Sequence, residues 1–241
     1  MTKNPINGAR LASVILPAFL LGCAIPRAEV SPKGALEIFG PGSLDGSAKL
    51  KSDWVYEGPD DQRNFASRVS LRRTAGQASL TLKAGAQSFV LVRRTKARLL
   101  ATPFISWSWR MTAERHAAGA IRLIVGFHGG DPKSRSWGGQ PFMWLGTRLP
   151  PHDRVIAIAW GEGALERGNL YTDRKVPRYI ARGGSRQLGK WWPENLDLAE
   201  ICRKVWPQDQ IEDAEIMFIG FAVVKSPDPV EGSFRKLSLY R

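Results

Sequence analysis

The sequence predicts an all-β protein, one antiparallel β-sandwich of jelly-roll type with a single short helix. Three observations lead there. Short segments alternate apolar and polar residues with period two, as in Ala78-Ser79-Leu80-Thr81-Leu82-Lys83, and successive side chains of a strand point to opposite faces. Turn-forming residues separate them, from a chain with 24 glycines and 16 prolines in 241 residues. One run, Ile216 to Val224, is continuously apolar, as a central strand covered on both faces would be.

Strands are expected over residues 35–39, 53–57, 66–72, 78–83, 88–93, 104–111, 120–128, 155–160, 176–182, 215–224 and 233–240. Their spacing suits a sandwich, with a closed barrel as the alternative. In the 104–111 strand, Ile105, Trp107, Trp109 and Met111 share one face. Burial of two indoles makes that the inner one, with Arg110 on the other. One stretch breaks the pattern. Asp197 and Glu200 have capping-box spacing, Leu198, Ile201, Cys202 and Val205 recur at helical spacing, and Pro207 follows. A helix is expected over 198–206, and a second, shorter one is possible over 113–118.

The first residues carry an address. Lys3 and Arg10 precede an apolar run, Leu11 to Leu21, too short to span a bilayer as a stable helix. The run ends in Leu20-Leu21-Gly22-Cys23, which resembles a bacterial lipobox. Residues 1–22 are therefore expected to be a lipoprotein signal peptide, with Cys23 lipidated. Residues 23–34, with two prolines and a glycine, read as a tether, and 35–241 as one sandwich domain. Ala24 after the cysteine is similar to the pattern sent to the outer membrane, so the expected location is its periplasmic face. Cys202, the only other cysteine, reads as a small core residue.

The formal charge is +13, and the basic excess persists with Lys3 and Arg10 set aside. A surface this basic attracts polyanions. Export argues against nucleic acid as a partner. The pairs Arg72-Arg73 and Arg93-Arg94 sit at strand ends, as solvated surface or as contacts to an anionic membrane or glycan. The three histidines, His116, His128 and His152, lack metal-ligand spacing. Gly183-Gly184-Ser185 lacks the arrangement of a serine nucleophile. No cofactor, metal or catalytic group is expected.

Nine tryptophans are the stronger signal. Aromatic rings pack against the apolar faces of sugars as well as in cores. Trp137, Trp144 and Trp191 lie among glycines and prolines, near Arg135, Arg148 and Lys190, and could form a binding rim. Trp160, Glu162 and Asp228 complete the candidate ligand set. The expected function is a non-catalytic module binding an anionic glycan or envelope polymer. The alternatives are a glycan-active enzyme with acid and base drawn from Glu162, Glu194 and Asp228, or a structural lipoprotein.

Several residues together resemble one family. These are Trp107-Ser108-Trp109-Arg110, the run from Arg122 to Phe127, the run from Ile156 to Gly161, Trp191 with Glu194 and Asp197, and the 216–224 strand. Their order and spacing over roughly residues 50–241 are similar to the bacterial envelope family catalogued as domain of unknown function 3047. The resemblance implies an exported β-sandwich without established activity. Where that family has an acidic pair, this chain has Ala117 and Ala118. Of a later pair of aspartates it keeps only Asp228, and Ile201-Cys202 replace an Asp-Tyr.

Overall fold

A computed structural model describes residues 34–45, 49–59, 62–74, 76–113, 118–135 and 148–241. Thirteen strands form among them: β1 (Ala35–Phe39), β2 (Trp54–Glu57), β3 (Val69–Thr74), β4 (Gln77–Lys83), β5 (Phe89–Arg98), β6 (Phe104–Ala113), β7 (Ile121–His128), β8 (Arg154–Gly161), β9 (Leu170–Tyr171), β10 (Arg178–Gly183), β11 (Trp192–Asp197), β12 (Glu215–Val223) and β13 (Val230–Tyr240). Two short helices join them, α1 (Gln62–Arg68) and α2 (Leu198–Val205).

The strands make two sheets. Sheet one runs β11-β6-β13-β4-β3, with β1 also paired to β13, and sheet two runs β2-β5-β12-β7-β8-β10-β9. The chain crosses between sheets at β1–β2, β2–β3, β4–β5, β5–β6, β6–β7, β10–β11, β11–β12 and β12–β13. Such repeated crossing defines a jelly-roll sandwich and excludes a simple meander.

Period-two burial follows the sequence closely. β4 buries Ala78, Leu80 and Leu82, and β6 buries Ile105, Trp107, Trp109 and Met111 with Arg110 exposed. These side chains meet those of β7, β8 and β12 in one core between the sheets. Trp109 lies at its centre, its ring centroid 5.6 Å from Trp107, 5.4 Å from Trp160 and 6.2 Å from Phe234. β12 lies between β5 and β7, as the apolar run predicts. A register shift between Ile216 and Phe218 turns Phe218 outward into a second apolar cluster with Val55, Val92, Ile124 and Ala157. Both faces of β12 are thus covered.

The structure corrects the sequence reading in four places. Residues 66–68 belong to α1, and the strand starts at Val69. Phe65 packs edge-on to Tyr56 at 5.0 Å, and the Arg68 guanidinium lies 4.6 Å from the centre of the Phe89 ring, so tertiary contacts favour the helical turn. Sheet two is not wholly antiparallel, because β8 and β10 pair parallel. The chain leaves β8, pairs β9 antiparallel to β10, and so re-enters in the direction of β8. β11, absent from the predicted strands, pairs antiparallel with β6. Its Pro193 is tolerated because β11 is an edge strand with no further partner to bond. Finally, Ala113 ends β6 rather than starting a helix, and residues 114–117 lie outside the described set.

Helix α2 forms as the capping residues predict. The Asp197 carboxylate accepts from the Glu200 amide at 2.9 Å. The Glu200 side chain, however, pairs with Lys204 one turn on at 2.6 Å, not with the N-cap backbone. Cys202 is buried, and its thiol is pushed up to about 12, first by burial and then by the charges of Asp209 and Asp197. No helix among the described residues is long and apolar enough to cross a membrane.

Candidate functional site

The outer face of sheet one carries a polar groove of about 280 Å³. Strand phase builds it. Because Trp109 and Met111 point inward, Arg110 points outward on β6. The ladder sets Arg110 beside Ser233 of β13, Ser233 beside Thr81 of β4, and Thr81 beside Ser70 of β3. One row across four strands thus runs from a guanidinium over three hydroxyls, and the Thr81 and Ser233 hydroxyls share a hydrogen bond of 2.8 Å. On the β3–β4 ladder, Arg72 stands beside Ser79. On the β4–β13 ladder, Lys83 and Glu231 form an ion pair of 2.9 Å, each about half exposed.

Trp191 closes the row at its β11 end. Gly189, in the left-handed region at φ 75°, donates its amide to the Met111 carbonyl at 2.8 Å, so the chain already runs along β6 before β11 begins. Trp192 pairs with Trp109 and faces inward, which leaves Trp191 outward beside Arg110. The Arg235 guanidinium lies 4.1 Å from the centre of the Trp191 ring and that of Arg110 lies 5.3 Å from it. Cation–π attraction fixes these guanidiniums against the indole. Arg235 is also the last residue before a bulge, where the pairing of β13 with β6 skips from Arg235–Ser108 to Ser238–Ser106 and Lys236 takes φ 54°.

The lining is hydroxyl and cationic. Arg72, Lys83, Arg110 and Arg235 surround the groove, with Glu231 as the acidic counterpart. Small serines and a threonine leave space above the sheet and offer donors and acceptors to hydroxyl groups. The guanidinium forks can bind a carboxylate or another oxyanion through paired hydrogen bonds.

The sequence-predicted residues fare unevenly. Trp191 lines the groove, though as a shelf for two arginines rather than as a bare ring. Trp160 is a correction: it is 1% exposed, packs against Trp109 inside the sandwich, and offers no face to a ligand. The inward phase of β8 places it there, together with Ile156 and Ile158. Glu162 is exposed just beyond β8. Asp228 is half-buried between β12 and β13, where its carbonyl accepts from the Ser226 hydroxyl at 2.9 Å. Arg110 meets the Trp191 ring. Trp137, Trp144 and Cys23 lie outside the described residues.

Glu194, the third carboxylate of the enzymatic alternative, is on the wrong face for the groove. It pairs with Trp107 on the inward phase of β11 and is buried. Its Oε1 accepts from the Trp109 indole N–H at 3.3 Å and from Arg182 Nε, and its Oε2 accepts from Arg167 at 3.2 Å. Among the described residues no hydrogen bond joins Glu194 to Glu162 or Asp228. Arg93 likewise differs from its expected surface role. It is 7% exposed, donates to Asp53 at 2.7 Å and to the Glu37 and Ile38 carbonyls, and ties β1 to sheet two.

Arg72, named from the sequence as a possible contact to an anionic glycan, does line the groove, and the residues missed by sequence reasoning are Ser70, Ser79, Thr81, Lys83, Glu231, Ser233 and Arg235. Their signal was their outward phase on strands whose inward phase was legible.

No protein-family model matches the chain. No curated protein matches it either. Solved structures similar to it include the family 11 carbohydrate-binding module of the cellulosomal cellulase Lic26A-Cel5E of Clostridium thermocellum. That comparison gives a TM-score of 0.40 and 8% identity, over 78% of this chain and 87% of that one. Another is endoglucanase 3 of Trichoderma harzianum, from glycoside hydrolase family 12, with a TM-score of 0.39 and 8% identity over 88% and 92% of the two chains.

Proposed function

We propose that the protein is a non-catalytic binding module for an anionic glycan of the cell envelope, taken up on the outer face of sheet one and held to the membrane by acyl chains on Cys23. The observation that carries this reading is the groove itself. A floor of hydroxyls is flanked by Arg72, Lys83 and Arg110, with Arg110 and Arg235 set against the Trp191 indole. Sugar hydroxyls match the serine and threonine side chains, and a uronate carboxylate matches the guanidinium forks. The basic excess, +13 in the full chain and +11 once Lys3 and Arg10 leave with the signal peptide, adds long-range attraction to a polyanion. Glu194, buried and engaged by three donors, supports binding over acid–base chemistry. Kinship with the envelope family called domain of unknown function 3047 belongs to the same proposal and rests on the tryptophan, arginine and apolar runs that carry the resemblance.

The test is affinity electrophoresis and calorimetry of the mature chain with a polyuronate and with a neutral β-glucan. The polyuronate should bind and the neutral polymer should not. Binding should weaken as salt rises, because exposed charges are screened. Arg110→Ala and Arg235→Ala should each weaken it about tenfold or more, the loss of one charge-assisted pair. Equal binding of both polymers, or unchanged affinity in both variants, overturns the reading. For the anchor, Cys23→Ser should move the protein to the soluble fraction and abolish fatty-acid labelling. Membrane retention without labelling in both forms refutes it.

A further inference from the structure

A second cationic cluster lies on sheet two, away from the groove. Arg122 is the second residue of β7, and its neighbours Ile121 and Leu123 point into the core, so Arg122 points to the outer face. Arg178 opens β10 and pairs with Ala157 of β8, itself part of the outer apolar cluster. Between the two arginines β8 presents only Ala157 and Ala159, the latter beside Arg122. Small side chains there let the long ones converge. The convergence is at Gly119, in the left-handed region at φ 66°. An Arg178 terminal nitrogen lies 3.1 Å, and an Arg122 terminal nitrogen 3.7 Å, from the point where a β-carbon of Gly119 would stand. The two guanidiniums therefore share one small volume.

Their donors are mostly unspent. Arg122 Nε donates to the Gly119 carbonyl at 2.7 Å, which fixes the plane of that guanidinium. Arg178 Nε is buried and has no hydrogen-bond partner among the described residues. A guanidinium carries five N–H donors, and a buried donor left unsatisfied is costly. The surrounding charges do not compensate. Asp173 and the Tyr171 phenol favour the Arg178 charge, but burial and the nearby Arg174 outweigh them. Burial, with Arg178 and Arg174, likewise pushes Arg122 down to about 10.

We propose that Arg122 and Arg178, with Arg174 at the rim, form an oxyanion-binding site, separate from the sheet-one groove, that takes a phosphate, sulfate or carboxylate group. Such a group supplies several acceptor oxygens to donors that lack them and a negative charge to two like charges held together. The same chemistry fits a free ion and a group pendant on a glycan. The site stands independently of the glycan-binding reading, because it lies on the other sheet and is tested with small anions.

The experiment is a thermal and calorimetric titration of the mature protein with inorganic phosphate, with chloride at matched ionic strength as the reference, and with galacturonate and galactose 6-phosphate as the pendant forms. Phosphate should raise the melting temperature saturably, chloride should not, and tighter binding of either sugar than of phosphate that is lost in Arg178→Gln identifies the pendant source. Arg122→Gln and Arg178→Gln should each weaken phosphate about tenfold or more, while Arg203→Gln, exposed on α2 and part of neither site, should leave it unchanged. Without phosphate, Arg178→Gln should be at least as stable as the parent, since one of two repelling charges is gone. A purely structural arginine would give the reverse. Non-saturable stabilisation, or an equal phosphate response in all three variants, overturns the proposal.

Discussion

Replacing Glu194 by glutamine separates a structural carboxylate from a catalytic one. The Glu194 side chain is 3% exposed and that of Arg182 is 10% exposed. Arg182 has its guanidinium 4.1 Å from the centre of the Trp192 ring and a second hydrogen bond, 2.7 Å, to Gln187. Glutamine keeps the shape of glutamate but offers one acceptor where there were two, and its amide group meets either Arg182 or Arg167 donor to donor. The Arg182 charge then stays buried without a counter-charge, which costs about 3–5 kcal/mol. Arg167 adds little, because at 59% exposure its pair with Glu194 is screened by solvent. For a domain of this size the loss corresponds to a fall in melting temperature of roughly 6–20 °C. Urea unfolding followed by tryptophan fluorescence measures it, and Trp109, bonded to Glu194, reports the site directly. Adding Arg182→Gln to the variant should recover part of the loss, since the stranded charge is removed. A stability change below about 1 kcal/mol would refute the reasoning and return Glu194 to the list of available acids.

Three further outcomes follow from the core and its helix. Trp109→Ala, at a position 0% exposed among Trp107, Trp160 and Phe234, should cost about 3–5 kcal/mol in chemical denaturation, whereas Arg110→Ala, one residue away on the outer face, should cost under about 1 kcal/mol. The Cys202 thiol should resist alkylation in the native protein up to pH 9 and react fully once denaturant is added, because its pKa of about 12 keeps the thiolate scarce below that pH and the side chain is buried; rapid native labelling would contradict this. Asp197→Ala removes the side-chain acceptor of the Glu200 amide and should lower stability by about 1 kcal/mol, with Asp197→Asn or Asp197→Ser largely restoring it.

Much of the fold was legible because strand phase leaves a local signature. Ile105, Trp107, Trp109 and Met111 declare their face through spacing alone, and the structure buries all four. Asp197 likewise announces α2 through the residue type that a helix start requires. What escaped was set by distant partners. The segment Trp192-Pro193-Glu194-Asn195-Leu196-Asp197 has poor strand propensity, yet it pairs with all of Phe104 to Trp109 at the one kind of position where its proline does no harm. Residues 66–68 alternate well enough for a strand, but Phe65 and Arg68 gain more from the Tyr56 and Phe89 rings as a helical turn.

The groove was less legible for a related reason. Its residues run from Ser70 to Arg235, and only the order of strands in sheet one makes them neighbours. Serine and threonine at outward strand positions are what any solvated sheet shows, so no single segment marks a site. Tryptophan abundance pointed to rings, and the structure divides those rings by phase: Trp107, Trp109 and Trp160 face inward, and Trp191 faces outward. Proximity to the tryptophan-rich loops suggested Glu194 as an acid, and the same phase rule removes it from the groove. Trp192 and Glu194 share the inward phase on β11, and Trp191 precedes them on the outward one. One residue of register thus decides which member of Trp191-Trp192 meets solvent. A slip of β11 by one residue would bury Trp191 and expose Glu194, stranding Arg182 inside the sandwich. The buried Glu194–Arg182 pair, beyond its energy, therefore fixes the register that places Trp191 between Arg110 and Arg235.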